Sequence, residues 1–310
     1  MESLQKFYDK KRVLVTGGAG FIGSHLVEKL VSLGARVTVF DNFSTGSLTN
    51  LKSVVHAINI IYADVRSPYS CLRATANQEI VFHLAAFISV PESFQNPQLC
   101  YNVNIDGTNN ILAGCEKNNV KTFIYSSSSA VYGNKNTLCS EIDPLDPQSP
   151  YAISKHKGEL ATKHYFQTYR LNTAILRYFN VYGPRQNPHG SYAAVVAKFT
   201  QQLLAQKPLT IFGDGKQTRD FIHVSKIVEA NLMVAMHNNL HGDIYNVGTG
   251  KSMNLLQLID HLEKELNIKR TTIMFLPARQ GDITNSQANC EKYQKLSPSL
   301  LAKYAKDGNL

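Results

Sequence analysis

One pair of side chains in this chain has the types and spacing of an acid–base site. Tyr151 and Lys155 stand four positions apart in a stretch with a helical pattern, so they share one face of the expected helix. The unperturbed pKa of tyrosine is about 10, and a neighbouring ammonium favours the phenolate, which brings that pKa toward the working range. Tyr151 is therefore a candidate base for taking the proton of an alcohol.

A serine run gives this pair its context, since a tyrosine and a lysine at this spacing arise by chance about once in a chain of this composition. The four serines at positions 126–129 follow an apolar run that predicts a strand. Ligands of doubly wound sheets bind beyond the carboxyl ends of the strands. A serine hydroxyl at this strand end can hold the reacting alcohol or ketone oxygen beside Tyr151.

A glycine-rich turn follows the first apolar run of the chain. Gly17, Gly20 and Gly23 stand in the segment GGAGFIG, directly after the expected strand at 12–16. Glycine lets the backbone turn sharply and approach a pyrophosphate, whose charge is stabilised at the N-terminus of the following helix. The turn predicts a dinucleotide-binding site.

An acidic residue at the end of the second expected strand selects between the two nicotinamide dinucleotides. Asp41 follows Gly17 by 24 residues. A carboxylate there accepts hydrogen bonds from both hydroxyls of the adenosine ribose and repels a 2′-phosphate. The sequence therefore favours NAD over NADP.

Strands and helices alternate along the first 180 residues. Apolar runs predict strands at 12–16, 36–41, 58–63, 80–84, 122–126 and 173–178, and helical patterns extend to 33 and cover 97–118 and 151–168. This alternation predicts an α/β fold with a doubly wound parallel sheet of the Rossmann type. The pattern then loosens, with helices near 192–204 and 255–265 and strands near 209–212 and 244–247.

We therefore expect two interlaced domains. The NAD-binding Rossmann domain would comprise 1–180, with 221–247 returning to it. The smaller, interlaced C-terminal domain, at 181–220 and 248–310, would bind the substrate.

Composition limits the partners. The 310 residues carry 32 Lys and Arg against 23 Asp and Glu, a net charge of +9 that allows nucleic acid, an acidic surface or an anionic small ligand as a partner. The basic residues are dispersed and no nucleic-acid motif accompanies them, so we assign the surplus to anionic small ligands. No apolar stretch approaches the ~20 residues needed to span a bilayer.

The N-terminus and the cysteines indicate the compartment. The N-terminus lacks the apolar core of a secretory signal. The five cysteines are odd in number, with no C-x-x-C pair. We expect a cytoplasmic protein with free thiols, and with no metal site, nucleic-acid partner or membrane partner.

Five segments together resemble the extended short-chain dehydrogenase/reductase family. They are GGAGFIG at 17–23, HLAA at 83–86, SSSSAVYG at 126–133, SPYAISK at 149–155 and LRYFNVYGPRQ at 176–186. Within that family, the chain resembles the NAD-dependent epimerase/dehydratases and, more narrowly, the UDP-hexosamine 4-epimerases. The similarity runs from Arg12 to about Cys290.

The resemblance implies roles for residues at matching positions. Tyr151 would be the base, Lys155 its electrostatic and ribose-binding partner, and Ser128 the main hydroxyl donor, with Ser127 and Ser129 as supporting groups. The cofactor-binding residues would be Gly17, Gly20, Phe21, Ile22, Gly23, Asp41, Asn42, Ser44, Thr45, Gly46, Asp64, Val65, Leu84, Ala85, Ala86, Asn104, Ser126, Tyr151, Lys155 and Tyr178. The substrate-binding residues would be Ser89, Ser128, Ser129, Tyr151, Asn180, Ala194, Val195, Arg219, Arg279, Asp282 and Ser286.

The reaction that the resemblance implies is 4-epimerisation of a UDP-sugar through a transient 4-keto sugar, with NAD as cofactor. Asn180, Arg219 and Arg279 would hold the diphosphate and the uridine ribose, and guanidinium forks suit phosphate oxygens. Asp282 would accept a hydrogen bond from a ribose hydroxyl. The helices at 97–118 and 151–168 match those of a four-helix dimer interface, which implies a homodimer.

Substrate size is expected to depend on one position. Ser286 matches the residue whose bulk excludes a 2-acetamido group in related enzymes, and Ser89 matches a polar contact to that group. Both are small, so the expected reaction is UDP-GlcNAc/UDP-GalNAc interconversion, with UDP-Glc/UDP-Gal slower.

Three alternatives stay open. A 4,6-dehydratase would carry an Asp-Glu dipeptide after the strand-end hydroxyl, whereas Ser129 and Ala130 follow Ser128 here. A UDP-glucuronate 4-epimerase or decarboxylase has related serine-rich motifs. A catalytically silent nucleotide-sugar-binding protein would typically lose the tyrosine or the lysine, and this chain keeps both.

Overall fold

The structure is a computed structural model that describes residues 2–187, 195–278 and 282–296. Its helices are α1 (Glu2–Tyr8), α2 (Phe21–Ser32), α3 (Pro68–Thr75), α4 (Val90–Gln95), α5 (Pro97–Tyr101), α6 (Gly107–Lys117), α7 (Pro150–Tyr169), α8 (Val195–Leu204), α9 (Val224–Val234), α10 (Leu255–Leu266) and α11 (Glu291–Leu296). Its strands are β1 (Arg12–Thr16), β2 (Arg36–Asp41), β3 (Ile58–Tyr62), β4 (Ile80–His83), β5 (Thr122–Ser128), β6 (Asn172–Tyr178), β7 (Asn180–Tyr182), β8 (Leu209–Phe212), β9 (Thr218–Arg219), β10 (Phe221–His223), β11 (Asp243–Val247), β12 (Met253–Asn254) and β13 (Ile273–Leu276).

Seven strands form the central sheet, in the order β11-β6-β5-β4-β1-β2-β3. β1 pairs in parallel with β2 on one side and with β4 on the other, so the strand order reverses at β1. The pairs β2–β3 and β4–β5 are also parallel. This topology confirms the predicted doubly wound α/β fold, and it places the switch point where such folds bind ligands at the carboxyl ends of β1 and β4.

The central strands β1 and β4 are apolar along nearly their whole length because both faces are covered. β4 is buried at every residue, and β1 is buried at all but its first. Strands of parallel sheets are buried on both faces by crossover helices, so their sequences read as continuous apolar runs rather than as alternation. The sheet is thus a rigid support for the loops that follow each strand.

The chain divides into two compact units. The first unit comprises Met1–Ser128, Ser149–Arg177 and Ser225–Tyr245, and the second comprises Ser129–Gln148, Tyr178–Val224 and Asn246–Leu310. The sequence had placed 129–148 in the first domain, whereas the structure assigns it to the second unit. The reason is a buried cluster that holds this segment in the second unit: Val131, Tyr132, Cys139, Phe179, Ala288 and Cys290.

The helix predicted at 97–118 is not continuous. A π-helical turn at Asn102–Asp106 separates α5 from α6. Such turns are frequent at functional sites because the extra residue redirects side chains. Here the turn carries Asn104, which is buried.

The described ranges contain no helix that is both long and apolar enough to cross a membrane. All five cysteines fall within these ranges, and each is a buried thiol outside any disulfide.

Candidate active site and cofactor site

The turn after β1 has room for glycine alone at two positions. Gly17 has a φ of +67°, and a Cβ there would lie 2.7 Å from the backbone nitrogen of Ala85. A Cβ at Gly23 would lie 2.1 Å from the carbonyl oxygen of Gly17. Real Cβ atoms do not approach other heavy atoms so closely, so the backbone of this turn must stay bare.

The helix after this turn begins without a capping side chain. Gly20 is the N-cap of α2, and Phe21 and Ile22 open its first turn. The first N–H groups of a helix have no intrahelical acceptor, and the helix dipole places positive potential there. An anion such as a pyrophosphate is the natural partner of such a terminus.

Asp41 is buried at the end of β2. Its carboxylate accepts hydrogen bonds from the backbone N–H of Ala19, at 2.9 Å, and of Phe43, at 2.8 Å. Burial raises the pKa of Asp41, and these two N–H donors oppose the rise. The carboxylate therefore ties the glycine turn to the loop that follows β2.

The loop after β2 lies against the same glycine turn. A Cβ at Gly46 would lie 2.9 Å from the carbonyl carbon of Ala19. The side chain of Asn42 accepts from the N–H of Ser44, at 3.0 Å, and donates to Asp64, at 2.8 Å. Ser44 and Thr45 are exposed.

The segment after β3 holds the predicted adenine contacts, Asp64 and Val65. Asp64 accepts from the Arg66 guanidinium through both carboxylate oxygens, at 2.9 and 2.8 Å. These bonds lower its pKa to about 2. Val65 is buried and leaves no room for a side chain at Gly107, where a Cβ would approach it to 2.6 Å.

The segment after β4 carries Leu84, Ala85 and Ala86. The N–H of Ala85 donates to the Thr16 hydroxyl, at 3.1 Å. Phe87, the next residue along, is bonded through both its N–H and its carbonyl to the Asn104 amide, at 2.7 and 3.0 Å.

Asn104 also donates to the Ser154 hydroxyl on α7, at 2.9 Å. Its amide is thus engaged with the protein itself. The structure places Asn104 as a brace between the loop after β4 and α7.

The three predicted catalytic side chains come together in the first unit. Tyr151 and Ser128 share a side-chain hydrogen bond. The Lys155 ammonium is buried and donates to the carbonyl of Ser126, at 2.8 Å. A hydroxyl, a phenol and an ammonium thus occupy the carboxyl end of β5 and the facing side of α7.

The pKa of Tyr151 differs from the sequence expectation. Burial raises it to about 12, and the hydrogen bond with Ser128 opposes the rise. Burial also lowers the pKa of Lys155 to about 8. The net rise is opposite to the lowering that the sequence predicts, because burial of the phenol is the largest cause.

Ser127 points elsewhere than the sequence suggested. Its hydroxyl donates to the buried carboxylate of Glu159, at 2.5 Å, rather than supporting Ser128. Ser127 thus contacts α7 about two helical turns further along than Ser128, which is bonded to Tyr151. Glu159 in turn accepts two bonds from the Arg177 guanidinium, at 2.8 and 2.7 Å.

In the second unit, a buried carboxylate organises the predicted diphosphate-binding residues. Asp220 accepts from the N–H groups of Thr249, Gly250 and Ala288 and from the Thr249 hydroxyl, at 2.7–3.1 Å. Its own carbonyl accepts from the backbone N–H of Asn180, at 2.9 Å. Asp220 thus joins two segments, at Thr249–Gly250 and at Ala288, to the strand pair β7–β10.

Arg219 is the last residue of β9 and directly precedes Asp220 in the sequence. Its guanidinium donates to the carbonyls of Thr218, at 2.8 Å, and Thr284, at 3.4 Å. The arginine therefore lies beside the segment that carries Asp282 and Ser286. Ser286 is buried.

The remaining predicted positions are placed as follows. Ser89 caps α4 by accepting from the N–H of Glu92, at 3.3 Å. Tyr178 is buried at the end of β6, Ser129 begins a 3₁₀ turn, and Val195 begins α8. Ala194 and Arg279 lie outside the described residues.

Sequence reasoning missed Glu159, Arg177 and Asp220. Glu159 follows Lys155 by four residues, so the helical spacing that selected Tyr151 and Lys155 would also have selected it. Asp220 stands next to Arg219 in the segment TRDF. Neither residue is marked by an apolar neighbourhood, since Glu159 lies in HKGELATK and Asp220 follows Thr218 and Arg219.

The first unit suits a dinucleotide. The glycine turn is a cradle that a Cβ would fill, and it opens at a helix N-terminus that favours phosphate. The carboxylate of Asp41 ends the adjacent strand, where a ribose would be recognised. The donor set and the steric requirement thus fit NAD.

Comparisons with known proteins agree with this fit. Residues 13–248 match the model of the NAD dependent epimerase/dehydratase family. The chain is 39% identical over 287 residues to a putative UDP-glucose 4-epimerase of Methanocaldococcus jannaschii, with 92% of each protein covered. It is 34% identical over 306 residues to a UDP-N-acetyl-alpha-D-glucosaminuronate decarboxylase of Bacillus cytotoxicus, covering 93% of this chain and 94% of that protein.

A solved structure is equally similar. The UDP-N-acetylglucosamine 4-epimerase from Methanobrevibacter ruminantium, in complex with UDP-N-acetylmuramic acid, is 40% identical and has a TM-score of 0.89. The match covers 93% of this chain and 92% of that structure. The likeness therefore extends over nearly all of both proteins.

Proposed function

This chain belongs to the NAD-dependent epimerase/dehydratase family, and from that premise we propose that it interconverts UDP-GlcNAc and UDP-GalNAc, with UDP-Glc and UDP-Gal as slower substrates. Its cofactor is NAD, which when bound takes up a hydride from the sugar and returns it. The observation that carries the proposal is the meeting of Ser128, Tyr151 and Lys155 at the end of β5.

In this proposal Tyr151 takes the proton of the sugar 4-hydroxyl. Its bond with Ser128 sets the phenol oxygen beside a second hydroxyl, and the two together can hold one sugar oxygen. A tyrosine with a pKa of about 12 is a poor base at neutral pH. Positive charge, from Lys155 below its pKa of about 8 and from the bound nicotinamide, would favour the phenolate.

The second unit would hold the nucleotide. Arg219 lies beside the segment that carries Asp282, and a guanidinium binds phosphate oxygens through two parallel bonds. The backbone N–H and the side-chain amide of Asn180 both donate to the Asp220 carbonyl, at 2.9 and 3.4 Å, and the amide would make a second contact to the diphosphate. These residues support a firm hold on UDP, which would leave the hexose free to present either face.

The acetamido preference rests on Ser286. Ser286 is small and buried, so a larger side chain at this position would occupy the space that we propose for the acetamido group. We expect Ser286→Tyr to remove activity on UDP-GlcNAc while sparing UDP-Glc, with Ser286→Ala keeping both. Equal loss on both substrates in Ser286→Tyr would show that this residue does not select the substrate.

A decarboxylase or 4-epimerase of UDP-glucuronate is the second candidate, because a decarboxylase of a related uronate is 34% identical over most of the chain. The two classes differ in their products. Conversion of UDP-glucuronate with release of CO2, without conversion of UDP-GlcNAc, would favour the decarboxylase. The dipeptide Ser129-Ala130 after Ser128 has no carboxylate for dehydration.

Removing the phenol separates an enzyme from a silent binding protein. Tyr151→Phe should reduce turnover of UDP-GlcNAc at least 100-fold, because proton transfer by a positioned side chain contributes about 10²–10⁴-fold. The affinity for UDP, measured by calorimetry, should stay within about twofold of wild type. Equal turnover in wild type and Tyr151→Phe would contradict the role of Tyr151.

A homodimer is also proposed. Leu99 on α5 and Leu160 on α7 are apolar and exposed at 41% and 47%, on the helices that the family resemblance assigns to a dimer interface. Light scattering of the wild type should give the mass of two chains. Leu99→Glu/Leu160→Glu should then shift it toward one, and a monomeric wild type would exclude the dimer.

A further inference from the structure

We infer that Glu159 is a positioning residue for catalysis. Held by Arg177 and bonded to Ser127, it fixes the end of β5 against α7 and thereby sets the geometry of Ser128, Tyr151 and Lys155. The inference rests on the roles proposed above for these three residues. Glu159 itself touches no reacting group, so it acts through the strand and the helix that carry them.

Three contacts join the end of β5 to one face of α7. Ser128 bonds to Tyr151, the carbonyl of Ser126 accepts from Lys155, and the hydroxyl of Ser127 donates to Glu159. The three helix residues are spaced by four, so they lie one above another along a single face. The contacts of Tyr151 and Lys155 involve the proposed catalytic groups, whereas the contact of Glu159 involves none of them.

The Glu159 contact is the anchored one. Its carboxylate is bonded through both oxygens to the Arg177 guanidinium of β6, and both side chains are only 2% exposed. Planar two-point pairing fixes a carboxylate in orientation as well as in position. The hydroxyl of Ser127 therefore meets an acceptor whose place is set by the neighbouring strand.

The turn of α7 that carries Glu159 also packs closely against β5. A Cβ at Gly158 would lie 2.1 Å from the phenol oxygen of Tyr125 on β5. The helix backbone therefore lies closer to the strand at this position than a residue with a Cβ would permit. The Tyr125 side chain limits how closely α7 can approach β5, and the Ser127–Glu159 bond limits how far the two can move apart.

The charge of Glu159 also acts on Lys155. The groups that face the ammonium are Tyr125 on β5, 5.2 Å from its ring centre, His83 on β4, Cys100 on α5 and Glu159 on α7. The Glu159 carboxylate also faces His156 of the same helix, at 3.9 Å. His83 has a pKa lowered to about 3 by burial and is neutral. Burial lowers the pKa of Lys155, and Cys100 and Glu159 oppose that fall.

The test separates position from charge with two variants and one matched control. Ser127→Ala removes the strand contact and keeps the Glu159 charge, whereas Glu159→Gln removes the charge. Thr162→Val is the control, because it deletes a buried hydroxyl bond of the same helix, to the Gly158 carbonyl, away from the end of β5. Turnover of UDP-GlcNAc is measured from pH 6 to 10, with UDP affinity by calorimetry.

For Ser127→Ala we expect kcat to fall roughly 10- to 100-fold, because small misplacements of catalytic groups are costly. KM and UDP affinity should stay unchanged, and so should the pH profile, since no charge is lost. Thr162→Val should lower stability with a kcat within about twofold of wild type. A kcat for Ser127→Ala equal to that of Thr162→Val would overturn the inference.

For Glu159→Gln the alkaline limb of kcat should move to lower pH, because Lys155 loses a charge that favours its protonated form. The same shift should appear in the titration of the Lys155 side-chain nitrogen by NMR, assigned by its loss in Lys155→Met, and this reading needs no turnover. An unmoved nitrogen titration would overturn the inference. A wild type that converts no UDP-sugar, with the titration shifted, would instead reject the proposed function alone.

Discussion

Glu159 in the first unit and Asp220 in the second are both buried carboxylates, yet they are held in opposite electrostatic ways. Glu159 is paired with the Arg177 guanidinium, and its pKa falls to about 2. Asp220 accepts from four uncharged donors, and burial raises its pKa. At Asp220 the four uncharged donors do not offset the desolvation of the carboxylate, whereas at Glu159 the bonds that include the Arg177 guanidinium do.

The two arrangements suit the tasks proposed for the two units. An ionised Glu159 holds the catalytic strand end in place and contributes negative potential near Lys155. Asp220 joins loops beside Arg219, where an incoming diphosphate brings its own negative charge. The following predictions test this contrast.

The largest effect is expected from leaving Glu159 unpaired. Arg177→Met should lower the free energy of unfolding by about 3–5 kcal/mol, because it strands a buried charge. Urea unfolding at pH 7 measures this loss. The double variant Arg177→Met/Glu159→Leu should recover much of it, and a single-variant loss below about 1 kcal/mol would contradict the ion-pair account.

Acidification should reveal opposite signs for the two carboxylates. The folded pKa of Glu159 is lowered from 4.5 to about 2, so its contribution is present above pH 4.5 and is lost as the pH falls toward 2. That shift corresponds to stability on the order of 3 kcal/mol. The folded pKa of Asp220 is raised above 3.8, so its contribution instead grows as the pH falls through that window.

Urea unfolding between pH 7 and pH 3 distinguishes the two signs. Glu159→Gln should flatten the loss of stability on acidification, whereas Asp220→Asn should steepen it. The same change of slope in both variants would show that the two sites do not differ as described.

Removing Asp220 should cost less than stranding Glu159. Asp220→Ala leaves four donors without their acceptor but also removes the desolvation cost of the buried carboxylate, so the expected net loss is about 1–3 kcal/mol. UDP affinity should fall because the segments that carry Thr249, Gly250 and Ala288 lose the carboxylate that joins them beside the proposed nucleotide site, while NAD affinity should not change. A parallel fall in both affinities, measured by calorimetry, would indicate general unfolding instead.

The smallest effect is expected from removing one of the groups that donate a hydrogen bond to Asp220. Thr249→Val removes the hydroxyl bond at 2.7 Å and keeps the three backbone bonds. The expected loss of unfolding free energy is about 1 kcal/mol. Thr249→Ser, which keeps the hydroxyl, should lose less, and equal losses would assign the effect to packing.

The fold could be predicted because its signals are local. Apolar runs such as the one in β1, and glycines such as Gly17 and Gly23 that cannot carry a Cβ, are readable within a few positions. The roles of Tyr151, Lys155 and Ser128 came from spacing and family resemblance, and they stay predictions.

Contacts between distant residues could not be predicted in the same way. Nothing in a single sequence pairs Glu159 with Arg177, or Asp220 with Thr249, since each pairing depends on the packing of separate elements. The π turn around Asn104 has the same origin, because its amide bonds to residues 17 and 50 positions away. The burial that raises the pKa of Tyr151 is likewise tertiary.

The most direct test of the proposed reaction follows the hydrogen at C4 of the sugar. Purified protein is incubated with UDP-GlcNAc that carries deuterium at C4, without added oxidant or reductant, and the products are read by NMR. We predict UDP-GalNAc with the deuterium retained at C4, because the same hydride leaves and returns. Loss of the label to water, or no UDP-GalNAc at all, would contradict the account.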